Sequence, residues 1–386
     1  MSMSVIARSS PVSALTSQRC SETQLVAQLV SSVTQDGLDI DRAWIVNFYV
    51  ALKSRPLTIL VGTRSSGKEL LVANLTRLLT RDAWQSQTML GHAWWAEGTE
   101  NAALFTEAQV RLNSSKILTM IEQASLPENA DRVFIGWLKR IGPAELAGFF
   151  TELAFELQRK QLVQLPSFRL AEPIACPPNF SLIGTIDTLP SGWSNGDLIS
   201  ETMIIPWPAA VVRQPTGRRA VGPILPAAES VFLRSCIRRE EAAFDKLHHT
   251  QGWQPQSMWP LVVVEDLLKQ HQGLLSDCAM GEAMIYVANA WSAEGQGLFD
   301  RTPARNMAIA LDFAIAQSLL LPAGEAIRGS AALYARLAGM LTRRFPCSAA
   351  FLRTIRPAHA VEATRHAQTP SSEPIAAESH AFSHFG

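Results

Sequence analysis

The stretch best able to do chemistry is a glycine-rich loop with a lysine near its end. It consists of Gly62, Thr63, Arg64, Ser65, Ser66, Gly67, Lys68 and Glu69, and we call it the phosphate loop. Up to the lysine it matches G-x-x-x-x-G-K, a pattern in which backbone N–H groups and the ammonium surround phosphate oxygens. Its glycines allow a close backbone approach that a Cβ would hinder. The loop therefore predicts a site for the phosphates of a nucleotide.

Glu69 departs from this pattern, which has Ser or Thr at the last position. A hydroxyl there would bind Mg²⁺, whereas a carboxylate brings negative charge close to the phosphates. Three outcomes stay open at this point: Glu69 binds the metal directly, repels the nucleotide, or points to solvent. Glu69 is the candidate metal ligand of the chain.

A loop of this kind needs a strand before it and a helix after it, and the sequence predicts both. Residues 57–61 (LTILV) form a short apolar run rich in β-branched side chains, which predicts a buried strand. In residues 69–79, leucines recur at near-helical spacing, which predicts a helix. The N-terminus of that helix would favour an anion at the loop.

Strand and helix patterns alternate on both sides of the loop. Short apolar runs predict further strands at 132–135, 180–186 and 203–205. Amphipathic spacing predicts two helices within 21–54 and a long one at 143–162. This alternation predicts an α/β fold with a largely parallel sheet.

Shifts in composition predict the domain organisation. Residues 21–208 form the α/β domain with its N-terminal helices, 209–228 are a Pro- and Gly-rich linker, and 229–356 form a smaller all-α domain. The terminal segments 1–20 and 357–386 are poor in apolar periodicity, which predicts disorder.

Charge and cysteine content narrow the class of protein. Lys and Arg total 34 and Asp and Glu total 34, so no overall field favours nucleic acid or a membrane surface. DNA contact is therefore unsupported by charge. The 5 cysteines are scattered and form no C-x-x-C pair, which argues against a zinc site or a disulfide framework. No apolar run reaches the roughly 18 residues of a membrane span. Together these features predict a cytoplasmic protein without a membrane partner.

From about residue 44 to about residue 330, the chain resembles the AAA+ domain of McrB-type NTPases of 5-methylcytosine restriction systems. Besides the phosphate loop, three segments carry the resemblance. They are 48–52 (FYVAL), 177–188 (PPNFSLIGTIDT) and 311–329, which contains the short runs L-D, L-P and I-R-G. The resemblance implies a P-loop NTPase sheet with a smaller all-α lid, and binding of ATP or GTP. It also implies roles for Thr185 and Asp187 at sensor 1, where a polar side chain contacts the γ-phosphate or the attacking water.

The catalytic motifs that the resemblance implies are degenerate. A Walker B Asp-Glu pair would end the second predicted strand, with Asp supporting Mg²⁺ and Glu polarising water. Gly136 and Trp137 stand at those positions, and neither binds a metal or accepts a proton. A run at 261–266 (LVVVED) resembles a Walker B strand, but its continuation LLKQ favours a helix of the lid.

Two arginines that the resemblance implies are also missing. The segment 197–201 (DLISE) stands where the arginine finger would lie, and 280–284 (MGEAM) where the sensor-2 arginine would lie. Arg301 and Arg305 are the candidate substitutes. An arginine that reaches the transferred phosphate accounts for a large rate factor, so hydrolysis is expected to be weak.

The expected function is therefore a nucleotide-binding protein for ATP or GTP with weak or no hydrolysis. It would act in a homo- or hetero-oligomeric AAA+ ring, with a nuclease or another defence protein as partner. Mg²⁺ is the metal that the resemblance implies, although the missing carboxylates weigh against it. Two alternatives stay open. One is an active ATPase or GTPase in which Glu69 and Asp187 manage metal and water and which drives a partner nuclease; the other is a non-enzymatic scaffold with an empty nucleotide site.

Overall fold

The structure is a computed structural model that describes residues 20–91, 96–142, 146, 149–150, 162–163, 174–188, 202–213, 227–250, 253–271 and 279–355. The strands are β1 (Leu38–Asp39), β2 (Leu57–Val61), β3 (Ser86–Leu90), β4 (Phe134–Lys139), β5 (Leu162–Val163), β6 (Ile174–Ala175), β7 (Phe180–Ile186), β8 (Thr202–Pro206) and β9 (Val211–Val212). The helices are α1 (Glu22–Gln35), α2 (Arg42–Ser54), α3 (Lys68–Leu79), α4 (Ala102–Ser125), α5 (Ala228–Ser235), α6 (Glu240–His249), α7 (Trp259–Lys269), α8 (Ala279–Asn289), α9 (Pro303–Ala314), α10 (Gly324–Gly329), α11 (Ala331–Leu341) and α12 (Pro346–Thr354).

Five parallel strands form the central sheet in the order β3-β4-β7-β2-β8. β2 lies inside the sheet, with Val61 opposite Ile186 of β7 on one side and Pro206 of β8 on the other. Because the strands are parallel, their carboxyl ends meet at one edge, which we call the carboxyl edge. The phosphate loop leaves β2 at this edge, where ligands of open α/β sheets bind.

Two apolar cores cover the two faces of the sheet. On one face, α4 packs through Ile117, Ile121 and neighbouring side chains against Phe134 and Leu138 of β4. On the other face, α1, α2 and α3 share one continuous core with the helices that follow residue 227. The helices on either side of 209–228 therefore bury their apolar faces against one another. The division into an α/β domain and a lid stays a prediction.

Two buried polar arrangements hold together the helices of this second face, which we call the helical layer. Lys53 and Glu22 form an ion pair with both side chains fully buried, and the Lys53 ammonium also donates to the carbonyl oxygens of Asn289 and Trp291. Asp312 of α9 accepts the backbone N–H of residues 347 and 348 at the start of α12, at 2.8 and 2.7 Å. The charges are satisfied by hydrogen bonds, as burial requires.

Several predictions of single elements are confirmed. β2 and β7 occupy the predicted positions 57–61 and 180–186, and residues 261–266 lie in helix α7 rather than in a strand. The strand predicted at 132–135 was placed wrongly, because β4 begins at Phe134 and continues to Lys139. The helix predicted at 143–162 falls mostly outside the described residues, as do residues 1–19 and 356–386 of the predicted disordered ends. Among the described helices, none combines the length and apolar character needed to cross a membrane.

Candidate phosphate-binding site

The phosphate loop connects β2 to α3 with a set of backbone donors that the protein leaves unused. In the described part of the chain, the N–H groups of Arg64, Ser65, Gly67, Lys68 and Glu69 have no hydrogen-bond partner. Thr63, Arg64 and Ser65 are exposed to solvent. The first-turn N–H groups of a helix point outward from its N-terminus and carry the positive end of its dipole. The loop therefore offers several donors to an anion.

Gly67 is required by the packing of the loop. Its φ of +77° lies in the left-handed region, where an L-residue is disfavoured. A Cβ at Gly67 would also lie 2.2 Å from Leu38 Cδ1 and 3.2 Å from Val212 Cγ2. These two side chains belong to the antiparallel ribbon of β1 and β9, which packs against the loop. The second glycine of the motif thus serves both the turn and this contact.

Trp207 supports the loop through a hydrogen bond to its backbone. Its indole Nε1 donates to the carbonyl oxygen of Ser66 at 2.8 Å, and the Ser66 hydroxyl donates to the Thr63 carbonyl at 2.7 Å. Trp44 of α2 packs edge-on against both Trp207 and Phe313 of α9. The helical layer is thereby linked to the loop. Sequence reasoning missed Trp207, although a tryptophan two residues after the last predicted strand was a visible signal.

Lys68 is almost fully buried, with 2% of its side chain exposed, and it uses all three of its ammonium hydrogens. It donates to the carbonyl oxygens of Gly62 at 2.5 Å and Thr63 at 3.0 Å, and to Asp187 Oδ1 at 2.9 Å. The structure thus brings the predicted residues Lys68 and Asp187 together. A bound phosphate would have to replace some of these three acceptors.

Thr185 forms hydrogen bonds with the backbone directly after β4. Its side chain is fully buried, and its hydroxyl oxygen accepts the backbone N–H of Arg140 at 3.2 Å. Its carbonyl oxygen accepts the N–H of Ile141 at 2.9 Å. Arg140 has a φ of +54°, an uncommon conformation for a residue other than glycine, and these bonds hold it there. Thr185 therefore positions Arg140 at the carboxyl edge.

Glu69 faces two cations at the end of β4. Its carboxylate lies 3.9 Å from Lys139 Nζ and 3.8 Å from Arg140 Nε, and all three side chains are about one third exposed. The Lys139 ammonium also lies 4.0 Å from the centroid of the Trp137 ring. Cations over an indole face are stabilised by its quadrupole. Glu69 is therefore neutralised by residues of the protein itself.

The register of the sheet corrects the predicted position of the catalytic carboxylates. Gly136 and Trp137 lie in the middle of β4, opposite Leu182 and Ile183 of β7. Trp137 is buried, with 5% of its surface exposed. Lys139, the last residue of β4, and Arg140, which follows it, reach the level of the phosphate loop. The prediction that Gly136 and Trp137 stand there was wrong, because the pairing of β4 with β7 places both residues before the end of the strand.

The remaining predicted groups do not join the site. Arg305 is paired with Asp300 at 3.3 Å, and within the described ranges neither it nor Arg301 has an ion pair or hydrogen bond to the phosphate loop. In 280–284, Glu282 pairs with Arg55. The segment 197–201 lies outside the described residues.

The side chains present do not suit a divalent metal. Among the residues that the structure describes, no three His, Cys, Asp or Glu side chains are grouped so as to hold a metal ion. Glu69 and Asp187 each face a lysine or arginine, as described above. Mg²⁺ needs oxygen ligands in near-octahedral geometry and gains nothing from nearby cations. The backbone donors and Lys68, in contrast, suit the phosphates of a nucleotide.

Comparison with known proteins assigns the chain to no family. No protein-family model matches the chain, and no curated protein matches it significantly. The resemblance to McrB-type NTPases therefore stays a proposal.

Proposed function

We propose that the chain binds the triphosphate of ATP or GTP at the phosphate loop and hydrolyses it weakly or not at all. The observation that carries this proposal is the junction of β2, loop and α3. Unused backbone donors and Lys68 lie there together at the carboxyl edge of a parallel sheet. This combination of donors and cation is the chemistry that phosphate oxygens need.

Weak hydrolysis follows from the residues beside the loop. A general base for the attacking water needs a free carboxylate or comparable group within hydrogen-bond reach. The end of β4 provides Lys139 and Arg140 instead, and Asp187 is held by Lys68. Among the described residues beside the loop, this arrangement supports weak hydrolysis, because none of their carboxylates is free to act as the base.

The resemblance to McrB-type NTPases supports the wider role. It favours a subunit of a homo- or hetero-oligomeric AAA+ assembly, with the helices after residue 227 as the lid. Nuclease activity would belong to a partner protein, since no nuclease constellation was found in the sequence. Size exclusion combined with light scattering, with and without nucleotide, tests the assembly.

A thermal shift experiment with ATP and GTP tests the proposal. A ligand that binds only the native state stabilises it by about 2.7 kcal/mol at a concentration of 100 times its Kd. We expect a clear rise in melting temperature that Lys68→Ala abolishes. Lys116→Ala on α4, away from the loop, is the matched control. Phosphate release should stay near background in both proteins, and turnover at ordinary rates that depends on Lys68 would contradict the proposal.

One observation favours a second candidate, a scaffold with no nucleotide. Lys68 already satisfies all three ammonium hydrogens within the protein, through Gly62, Thr63 and Asp187. If neither nucleotide shifts the melting temperature, the scaffold is the better account. Single-turnover assays on Glu69→Ala and Asp187→Ala address the remaining alternative of an active enzyme with relocated acids.

A further inference from the structure

We propose that this site binds nucleotide phosphates without a divalent metal, with Lys139 and Arg140 supplying the positive charge. The inference rests on the proposed function of the phosphate loop. It concerns how the ligand charge is balanced, which that function leaves open.

The first step is the distribution of charge around the loop. Its cations are Arg64 and Lys68 in the loop and Lys139 and Arg140 at the end of β4, and its anions among the described residues are Glu69 and Asp187. The acidic residue stands on α3, where the motif has a hydroxyl, and the basic residues stand at the end of β4, where the McrB-type NTPases that the chain resembles have carboxylates. Relative to that pattern, α3 carries a negative charge in place of a neutral hydroxyl, and the end of β4 carries positive charges in place of negative ones. The protein therefore holds permanent cations beside the loop.

The second step is the effect of this exchange on a metal. A divalent ion bound to Glu69 would lie close to Lys139 and Arg140, whose nitrogens are within 3.9 Å of the same carboxylate. Like charges at this separation repel, and part exposure to water weakens the repulsion without removing it. Phosphate oxygens at the same place would be attracted to both side chains. The arrangement thus selects the anion over the metal.

The third step is that the contacts of Glu69 with these cations are easily exchanged. The contacts of Glu69 with Lys139 and Arg140 are long, and all three side chains are about one third exposed. Ion pairs of this kind contribute little to stability. A phosphate group that displaces the Glu69 carboxylate would therefore cost the fold little. The planar guanidinium of Arg140 is also well suited to bind two phosphate oxygens at once.

Two neighbouring contacts keep the cations at the edge. The bond from Arg140 N–H to Thr185 holds the arginine backbone, and the Trp137 ring lies beneath the Lys139 ammonium. The end of β4 is thus suited to an anion.

Isothermal titration with ATP and with inorganic triphosphate tests the inference. Each titration is carried out in excess EDTA and again in millimolar Mg²⁺. We expect the two Kd values for a ligand to agree within about threefold, because the protein supplies the counter-charge itself. Tightening of binding by Mg²⁺ of about tenfold or more would overturn the inference and leave the proposed function standing. No binding in either condition would overturn the proposed function and the inference together.

Variants of the charged residues identify the cations that act. We expect Lys139→Gln and Arg140→Gln each to weaken triphosphate binding in EDTA about tenfold, since each removes a charge-assisted contact. Arg111→Gln, an exposed cation paired with Glu107 on α4, is the control for net charge and should change nothing. Glu69→Ser should tighten binding, an effect that misfolding does not imitate. Equal affinities for all four variants would contradict the assignment.

Discussion

The helical layer and the carboxyl edge of the sheet use charge in opposite ways. In the helical layer, Lys53 and Glu22 are fully buried, 2.6 Å apart. At the carboxyl edge, Glu69, Lys139 and Arg140 are about one third exposed and 3.8–3.9 Å apart. Breaking a buried pair leaves one charge desolvated and unpaired, whereas the members of an exposed pair exchange partners with water or a ligand. The first arrangement stabilises one structure, and the second leaves charge available for binding.

The largest expected effect comes from breaking the buried pair. Lys53→Met leaves Glu22 buried without its cation, so we expect a loss of about 3–5 kcal/mol in the free energy of unfolding. Denaturant titration followed by tryptophan fluorescence measures it. The double variant Lys53→Met with Glu22→Leu should recover much of the loss, because no charge is then left unpaired. A loss below about 1 kcal/mol in the single variant would erase the contrast between the two regions.

The next effect tests the phosphate loop itself. Gly67→Ala should cost about 2–3 kcal/mol, because the left-handed backbone disfavours a Cβ and Leu38 occupies its place. Gly98→Ala is the matched control, since Gly98 has a φ of +82° and no atom within 4 Å of the added Cβ. It should cost only about 1 kcal/mol. If urea titrations give the two variants equal losses in the free energy of unfolding, the contact of Gly67 with the β1–β9 ribbon is unimportant.

A pH-dependent effect is expected in the helical layer. Burial lowers the pKa of Lys246 to about 7, with the Lys53 charge as the second cause, while Glu22, Glu294 and Cys236 act in the opposite direction. Below this pKa both the folded and the unfolded states carry the proton, and the cost of the buried ammonium is fully present. Above it the folded state releases the proton first, so stability should rise toward the ordinary lysine pKa.

We expect a gain of about 1.5 kcal/mol between pH 7 and about pH 8.5. Urea unfolding at several pH values measures this change. Lys246→Met should remove the pH dependence of stability in this window. If stability still rises with pH to the same extent in that variant, another group is responsible for the rise. Burial raises the pKa of Cys236 above its ordinary value, so its contribution lies at higher pH.

The smallest effect on stability is expected at the carboxyl edge. Glu69→Ser should change the free energy of unfolding by less than about 0.5 kcal/mol, because its ion pairs are long and partly exposed. The same variant is expected to change ligand affinity, as described above. A large loss of stability in this variant, measured by thermal unfolding, would show that Glu69 is structural rather than exchangeable.

The success of sequence-based prediction depended on how local each feature is. Residues 57–79 form one continuous strand, loop and helix, so composition and spacing were sufficient to predict β2, the phosphate loop and α3. The residues of β4 that stand at the level of the loop were predicted wrongly, because that level depends on the register of β4 with its neighbours β3 and β7. Lys139 and Arg140 were visible in the sequence but were not assigned to the site.

Contacts across long separations were also beyond the sequence. Trp207 bonds Ser66 across 141 positions, and Lys53 bonds Glu22 across 31 positions. No local pattern marks such partners, because each residue by itself resembles an ordinary aromatic or charged side chain. Thr185 was predicted as a catalytic residue, a role that has not been tested. The structure shows it fully buried and bonded to the backbone of Arg140.

By itself, the sequence determined that a strand, a glycine loop and a helix follow one another, with a lysine at the start of the helix. Local backbone preference and apolar spacing are sufficient for that result. Only the tertiary structure decided which residues of β4 stand beside the loop, because parallel pairing aligns strand ends that are far apart in the chain. It placed two cations opposite Glu69, and so determined the sign of the charge that a phosphate would meet.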